Sequence, residues 1–306
     1  MTKQTLVIGS TVIDVLLTVP RLPRRGEDIN ITASACRVGG CAYNVYRALR
    51  LLGSPALLCS PVGGGIYGRM VEEHLRAVEG ISPFVKLEAE NGCCYCLVEE
   101  DGERSFLSLH GAEYLFSRTW MDGLDYARTD SVFVCGIEVE DPTGDEIVAF
   151  VYERPGLDLY VAPGPRITHI GKDRMARLLA RRNSRGEGPI LHLNKTEALE
   201  FSGRTTVEGA ADFLARQTEN RLVITAGARG CYYRDKHGGA FVPGLPARVV
   251  DTVGAGDAHC GTIIACLKQG MNLRAACERA NAIGAAVVEV PGANLDRLPP
   301  GYPAPG

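Results

Sequence analysis

Residues 249–261 read VVDTVGAGDAHCG and place an aspartate beside a glycine turn, where a phosphate-binding loop is expected to carry a lysine. The next residues, TIIACLKQG, predict that the turn opens directly into a helix. The backbone N–H groups of Gly254, Ala255 and Gly256 would then point outward from the positive end of that helix and form an anion hole. Asp257 would lie beside the hole, where a carboxylate can take a proton from an incoming hydroxyl group. The alternative is an acid placed in a first helical turn by the helix dipole alone, without a chemical role.

Strand and helix patterns alternate over much of the chain around this turn. From residue 131 the sequence runs SVFVCGIE, DEIVAFVYER, LDLYVAPG, GKDRMARLLARR, PILHLNKTEALEFSG, EGAADFLARQ and RLVITAG. Earlier, TLVIGSTVIDV and ALLCSPVG each predict one strand, and CAYNVYRALRLLG predicts a helix that ends at Gly53. This alternation predicts an α/β domain with a mostly parallel central sheet and helices on both faces.

Two segments interrupt the alternation. Residues 15–38 and 92–109 each have the pattern of two strands without a helix, and Asp101–Gly102 is a strong hairpin turn. We expect them to form a small β-sheet that projects from a single domain spanning residues 1–306.

Composition narrows the class of protein. The chain has 306 residues, of which 45% are hydrophobic and 23% charged, and its formal net charge is −3. There is no basic run and no apolar stretch of membrane-spanning length, so neither nucleic acid nor a membrane is an expected partner. The N-terminus does not have the pattern of a signal peptide, and an odd number of cysteines, eleven, favours reduced thiols. We therefore expect a cytoplasmic protein.

Three other signals have a structural interpretation. GGGIYG at 63–68 matches G-x-G-x-x-G, but we interpret it as a tight strand-to-helix turn, since a nicotinamide oxidoreductase would need a βαβ unit where residues 15–38 predict strands. Cys93, Cys94 and Cys96 lie in a strand pattern without a second cluster to complete a metal site. His259 would point about 200° around the helix from Asp257, so we expect it to pack in the interior.

Two motifs resemble the ribokinase-like, phosphofructokinase-B type family of carbohydrate and nucleoside kinases. The early one is Gly39-Gly40-Cys41-Ala42-Tyr43-Asn44, and the late one runs from Asp251 to Asp257. The resemblance covers nearly the whole chain. It implies a three-layer α/β/α domain in which residues 15–38 and 92–109 form a β-sheet lid over the acceptor, with Gly39–Gly40 as its hinge. Lid closure would exclude the water that competes with the acceptor hydroxyl.

The resemblance also implies a role for each matching position. Asp257 is the catalytic base, and Gly254, Ala255 and Gly256 form the anion hole. The substrate hydroxyls are bound by Asp14, Gly39, Gly40, Asn44 and Asp257. The nucleotide is bound by Asn194, Thr225, Gly227, Gly230 and Asn281. Mg²⁺ lies near Asn194 and Glu197, and a monovalent cation such as K⁺ lies near Asp251, Val253 and Gly292.

The expected function is therefore ATP-dependent transfer of a phosphoryl group to a primary hydroxyl group of a small sugar. A nucleoside kinase is the first alternative, because Tyr43, Tyr46 and Tyr95 could contact a base. A catalytically idle sugar-binding regulator is the second, although it would have lost the base or the glycines, and both are present.

Several positions are left open by the sequence. Tyr46 and Gly65 depart from the family pattern. His110 and Glu113 could reach the acceptor or pack locally, and Arg104 could be an exposed hairpin charge or a substrate contact. One apolar face of the lid comprises Val15, Leu17, Cys94, Cys96 and Leu97. This face either pairs two copies of the chain in a homodimer or covers the underside of the hairpin.

Overall fold

The computed structural model describes residues 3–124, 127–218 and 221–302. The chain divides into two compact units. The first unit contains Met1–Gly9, Cys41–Cys59 and Phe116–Gly306, and the second contains Ser10–Gly40 and Ser60–Leu115.

The secondary structure follows the alternation of the sequence. The strands are β1 (Gln4–Ile8), β2 (Val12–Val19), β3 (Ala33–Gly39), β4 (Ala56–Cys59), β5 (Pro61–Gly64), β6 (Val85–Glu90), β7 (Cys93–Glu99), β8 (Arg104–Leu109), β9 (Thr129–Cys135), β10 (Asp158–Ala162), β11 (Ile190–Asn194), β12 (Arg221–Thr225), β13 (Gly230–Asp235) and β14 (Gly238–Pro243). The helices are α1 (Cys41–Leu51), α2 (Gly65–Ala77), α3 (Arg118–Met121), α4 (Gly136–Glu140), α5 (Gly144–Tyr152), α6 (Lys172–Ala180), α7 (Lys195–Ser202), α8 (Val207–Thr218), α9 (Ala255–Lys268) and α10 (Leu273–Val287).

The first unit is built on a sheet with the strand order β14-β13-β12-β11-β10-β9-β1-β4. Neighbouring strands pair in parallel from β12 through β11, β10, β9 and β1 to β4. The hairpin β13–β14 adds an antiparallel edge beside β12. Central strands are apolar along their length, as in Leu6–Val7–Ile8, because both faces of the sheet are covered. The predicted α/β fold with a mostly parallel sheet and helices on both faces is confirmed.

The second unit contains the predicted small separate sheet, with the strand order β3-β2-β7-β8. Its β7–β8 hairpin turns at Gly102, which has φ 90° and donates its N–H to the Glu99 carbonyl (2.9 Å). The segment ALLCSPVG is not the single strand that we predicted. It divides at Ser60, because β4 joins the large sheet whereas β5 pairs with β6 in the second unit.

Strand register corrects the predicted dimer face. Leu17 pairs with Leu97, and Val15 lies on the same side of β2 as Leu17 because side chains alternate along a strand. Cys94 and Cys96 occupy the intervening positions of β7 and therefore point to the opposite face. The five residues do not form one surface.

None of the helices in the described ranges combines the length and apolar character needed to cross a bilayer.

Candidate active site

The glycine turn leads directly into helix α9, as predicted, and the Ala255 N–H of the turn donates to the Thr252 carbonyl (3.4 Å). Gly254 is in the left-handed region (φ 73°), and α9 begins at the next residue, Ala255. A Cβ on Gly254 would lie only 2.4 Å from the Cβ of Ala293, so a side chain at this position is excluded by both conformation and space. Asp257 lies half-buried in the first turn of α9, at the positive end of the helix dipole.

Asp257 is held by a chain of two amides. Asn44 Nδ2 donates to Asp257 Oδ2 (2.8 Å), and Asn294 Nδ2 donates to Asn44 Oδ1 (3.0 Å). Asn44 is buried in helix α1, whereas Asn294 lies in the loop after α10. A hydrogen bond from an amide N–H to a carboxylate favours the charged form of the acid.

The residues predicted for a monovalent cation come together. The buried carboxylate of Asp251 accepts the backbone N–H of Val253 through Oδ1 (2.9 Å) and that of Gly292 through Oδ2 (2.8 Å). These bonds join the segment before the glycine turn to the loop after α10.

Asn194 and Glu197 form a capping box at the start of α7. Asn194 Oδ1 accepts the N–H of Glu197 (2.9 Å), and Glu197 Oε2 accepts the N–H of Asn194 (3.0 Å). Asn194 Nδ2 also donates to Glu197 Oε1 (2.6 Å). Burial raises the pKa of Glu197 above its ordinary value.

Three residues predicted to line the nucleotide lie at the carboxyl end of β12 or just after it. Thr225 is paired with Asn194 of the adjacent strand β11, so both are at the same edge of the sheet. Gly227 (φ 58°) begins a short 3₁₀ turn, and Gly230 (φ 102°) ends it. A Cβ on Gly230 would lie 2.1 Å from the Val242 carbonyl oxygen, so the glycine allows the β13–β14 hairpin to close.

Asn281 belongs to a buried polar chain. Its Nδ2 donates to the carbonyls of Val242 (3.1 Å) and Pro243 (3.0 Å), which turns its Oδ1 toward His259 Nε2 (3.2 Å). His259 Nε2 therefore donates to Asn281 Oδ1, and in a neutral ring the His259 Nδ1 accepts from His192 Nε2 (2.9 Å). His259 is buried, as predicted, and burial lowers the pKa of His192 well below its ordinary value.

A cavity of about 540 Å³ lies along the outer face of α10. Its volume is within the range of small-molecule sites. The lining is mostly apolar and includes Leu245, Pro246, Ala282, Ala285, Pro299 and Tyr302.

The other predicted substrate residues lie in the second unit. Asp14 is in β2, and Gly39 ends the adjacent strand β3. A Cβ on Gly39 would lie 2.0 Å from Asp14 Oδ2, so the missing side chain makes room for the carboxylate. Gly40 has φ 104°, and a Cβ there would lie 2.7 Å from the Ser10 carbonyl oxygen. The structure thus distributes the predicted site residues over both units.

The structure shows the burial and contacts of the positions that the sequence left open. Glu113 is fully buried, and its carboxylate accepts the N–H groups of Gly92 (2.8 Å) and Gly111 (3.0 Å), which is a structural role; burial raises its pKa. His110 is exposed and stacks on Tyr114 (3.8 Å between ring centroids).

The remaining three positions are Arg104, Tyr46 and Gly65. Arg104 is half-buried at the start of β8, and Tyr46 is buried. Gly65 has φ 74° and begins α2, so the G-x-G-x-x-G match is the strand-to-helix turn that we predicted.

The sequence patterns did not single out Asn294 or the buried Glu138. Asn294 carries no local signal. Glu138 is a fully buried carboxylate whose Oε2 would lie 3.2 Å from a Cβ on Gly9. Its position just after the parallel strand β9, at the sheet edge where ligands bind in α/β folds, could have identified it.

Comparisons with known proteins agree with this architecture. Residues 2–146 and 189–299 match the model of the pfkB family carbohydrate kinases. An uncharacterized sugar kinase of Escherichia coli K12, YegV, is 33% identical over 290 residues, which are 94% of this chain and 88% of the relative.

Solved structures show the same fold at lower sequence identity. An adenosine kinase from Sinorhizobium meliloti superposes with a TM-score of 0.82 at 18% identity and 97% coverage of both chains. An Arabidopsis thaliana ribokinase, complexed with ribose and ATP, superposes with a TM-score of 0.77 at 21% identity, covering 96% of this chain and 95% of the ribokinase.

Proposed function

The chain belongs to the pfkB family of carbohydrate kinases, and on that premise we propose that it transfers the γ-phosphoryl group of ATP to a primary hydroxyl of a small sugar. The observation that supports this proposal most directly is the position of Asp257, at the end of the glycine turn and hydrogen-bonded to Asn44. One helix terminus thereby offers both a base and a group of N–H donors.

In the proposed reaction, Asp257 accepts the proton of the acceptor hydroxyl while that oxygen attacks the γ-phosphorus in line. The bond from the γ-phosphorus to the β–γ bridging oxygen breaks, and ADP leaves with that oxygen. The N–H groups of Gly254, Ala255 and Gly256 stabilise negative charge on the transferring phosphoryl group. Most of the rate then comes from positioning and electrostatics.

Asn194 and Glu197 fit the proposed contact to Mg²⁺. Amide and carboxylate oxygens are the ligands that Mg²⁺ prefers, and the buried Glu197 would be stabilised by a neighbouring cation. In the described parts of the chain, no three His, Cys, Asp or Glu side chains are grouped as a metal cage. We therefore propose that substrate phosphates and water complete the coordination. When bound, Mg²⁺ neutralises charge on the phosphates.

Two further assignments concern the nucleotide and a monovalent cation. We propose that the cavity beside α10 takes the adenine, since its lining is mostly apolar and Ala282 directly follows Asn281. The Asn281 amide would support the segment that leads to Leu245 and Pro246 of the lining, because it donates to the Val242 and Pro243 carbonyls. We propose K⁺ beside Asp251, whose carboxylate fixes the loop that would supply backbone oxygens.

We also propose a homodimer that forms through the four-stranded sheet, and a cytoplasmic location. The edge strand β8 leaves large apolar side chains exposed, among them Phe106, Leu107 and Leu109, which a second copy could cover. All eleven cysteines lie within the described ranges and are free thiols, as expected in a reducing compartment.

The test is ADP release from ATP–Mg²⁺ across a panel of pentoses, hexoses, ketoses and nucleosides. We expect one sugar to stimulate release and Asp257→Asn to lower that rate by about 10³-fold or more, the upper part of the usual range for a catalytic base. Asp173→Asn is the matched control, because Asp173 is an exposed aspartate in the first turn of α6. Full activity of Asp257→Asn would contradict the assignment of the base.

The same panel decides between the sugar and a nucleoside. Of the three tyrosines that suggested a base-binding site, Tyr43 and Tyr46 are buried in helix α1 with ring centroids 6.5 Å apart, so they belong to the core. Tyr95 is half-buried in β7. Stimulation by a nucleoside and by no sugar would make the chain a nucleoside kinase. ATP binding without stimulation by any acceptor would instead favour the sugar-binding regulator.

A further inference from the structure

The loop that follows α10 contacts the candidate active site at three consecutive residues. Gly292 donates its N–H to Asp251, and Ala293 occupies the space that a side chain on Gly254 would need. Asn294 then donates to Asn44, which in turn donates to Asp257. The glycine turn and the proposed base are therefore supported by the same loop.

The hydrogen-bonding capacity of each group fixes the direction of this chain. An ionised carboxylate only accepts, so Asn44 must present its NH₂ group to Asp257. The Asn44 carbonyl oxygen then faces Asn294 and needs a donor, which is the NH₂ group of Asn294 (3.0 Å). Asn44 is only 4% exposed, so water does not readily replace that donor.

The opposite orientation of Asn44 would change the chemistry at Asp257. A flipped Asn44 amide would place its carbonyl oxygen against the carboxylate. Two acceptors in contact repel each other, and the repulsion would favour the protonated, inactive form of the aspartate. The Asn294 amide stabilises the productive orientation because it satisfies the carbonyl only when the NH₂ group faces Asp257.

We infer that Asn294 is a positioning residue for phosphoryl transfer, which fixes the Asn44 amide and through it keeps Asp257 ionised and oriented. This inference rests on the proposed function of Asp257 as the base.

The loop does not depend on the Asn294 side chain for its own position. Leu295 and Leu298 pack against a core cluster that contains Ile283 and Val287. On the other side, Gly292 is tied to Asp251. Replacement of Asn294 by alanine should therefore remove one donor without displacing the loop.

The experiment compares the pH dependence of kcat/KM in the wild type, Asn294→Ala and Asn294→Asp, with the acceptor identified by the panel. For Asn294→Ala we expect kcat to fall about tenfold with KM for ATP unchanged, and the acid limb to move to higher pH. Asn294→Asp should move the acid limb further, by about one pH unit, because a carboxylate at this position attracts the Asn44 NH₂ group and turns its carbonyl toward Asp257. Asp296→Asn is the control from the same loop: the Asp296 side chain is 99% exposed, and its 3.4 Å ion pair with Arg47 is at the surface, where such pairs contribute little. Its profile should match the wild type.

A double-mutant cycle tests whether Asn294 acts through Asn44. In the Asn44→Ala background, Asn294→Ala should cause no further loss of kcat. An equal loss in both backgrounds, or an acid limb that does not move in Asn294→Ala, would overturn the inference even if the aspartate variant failed to fold. If Asp257→Asn keeps its activity, the proposed base itself is wrong. If Asp257→Asn is inactive but the acid limb of Asn294→Ala stays at the wild-type pH, only the role of Asn294 fails.

Discussion

Gly254 shapes the turn through its backbone conformation and its lack of a side chain. Its left-handed conformation turns the chain into α9, and its missing side chain admits Ala293 at close contact. The next glycine, Gly256, is different: it lies inside the helix, and a Cβ there would meet nothing within 4 Å. The two glycines of one motif therefore carry different constraints.

Gly254→Ala should lower the free energy of unfolding by at least about 1–2 kcal/mol, because an L residue in the left-handed region costs that much before the contact with Ala293 is counted. Gly256→Ala is the matched control and should raise stability by up to about 1 kcal/mol, since alanine is the better helix former. Urea unfolding followed by circular dichroism measures both. Equal stability of the two variants would contradict the strained role of Gly254.

Single residues were predictable where the signal is local. Asp257 and the glycines stand together in one short motif, so the sequence alone predicted a turn that opens into a helix with Asp257 in its first turn. Asn294 could not be found in this way, because its partner Asn44 is 250 residues away along the chain. The position of Glu113 suggested a contact to the acceptor, but its carboxylate accepts two backbone N–H groups, a role that no sequence pattern reveals.

Three elements are joined by the buried chain His192–His259–Asn281, which links β11, α9 and α10. Each ring nitrogen in this chain has a fixed role as donor or acceptor only while the rings are neutral. Protonation of His192 in the interior would add an unpaired charge, which explains its lowered pKa. These hydrogen bonds between side chains therefore stabilise the contact of β11, α9 and α10 only while His192 is neutral.

The sign of the pH dependence follows from that pKa. His192 binds a proton more weakly in the folded than in the unfolded protein, so its contribution to stability is present above the unfolded pKa of about 6.5 and is lost as the pH falls below it. The free energy of unfolding should decline by up to about 1.4 kcal/mol per pH unit from this residue. His192→Gln should flatten the slope between pH 6.5 and 5, whereas replacement of the exposed His237 by glutamine should not; identical slopes in urea titrations would refute the role of His192.

Elements with a clear period were predicted, and short glycine-rich ones were not. Helix α1 and the buried strands β9 to β12 follow directly from their apolar patterns. The division at Ser60 was missed, because an unbroken apolar run does not reveal that its two halves pair in different sheets. The hairpin β13–β14 was not predicted either, since its glycines weaken any strand signal.

At the scale of the whole molecule, the chain passes between its two units four times, at Gly9/Ser10, Gly40/Cys41, Cys59/Ser60 and Leu115/Phe116. The separate small sheet was predictable, because strand–turn–strand patterns interrupt the alternation of strands and helices. The spatial grouping of the segments was not, since it depends on pairings between distant strands such as β2 with β7. Family membership indicates the reaction class, that of a phosphotransferase among the carbohydrate kinases.

The measurement that tests phosphoryl transfer by Asp257 most directly is ³¹P NMR of the wild type and of Asp257→Asn, each incubated with ATP–Mg²⁺ and the acceptor panel. We expect a new phosphomonoester resonance that grows in equal amount with ADP in the wild type and is absent in the variant. ADP formed together with inorganic phosphate and no ester, or an ester formed at the wild-type rate by Asp257→Asn, would contradict it.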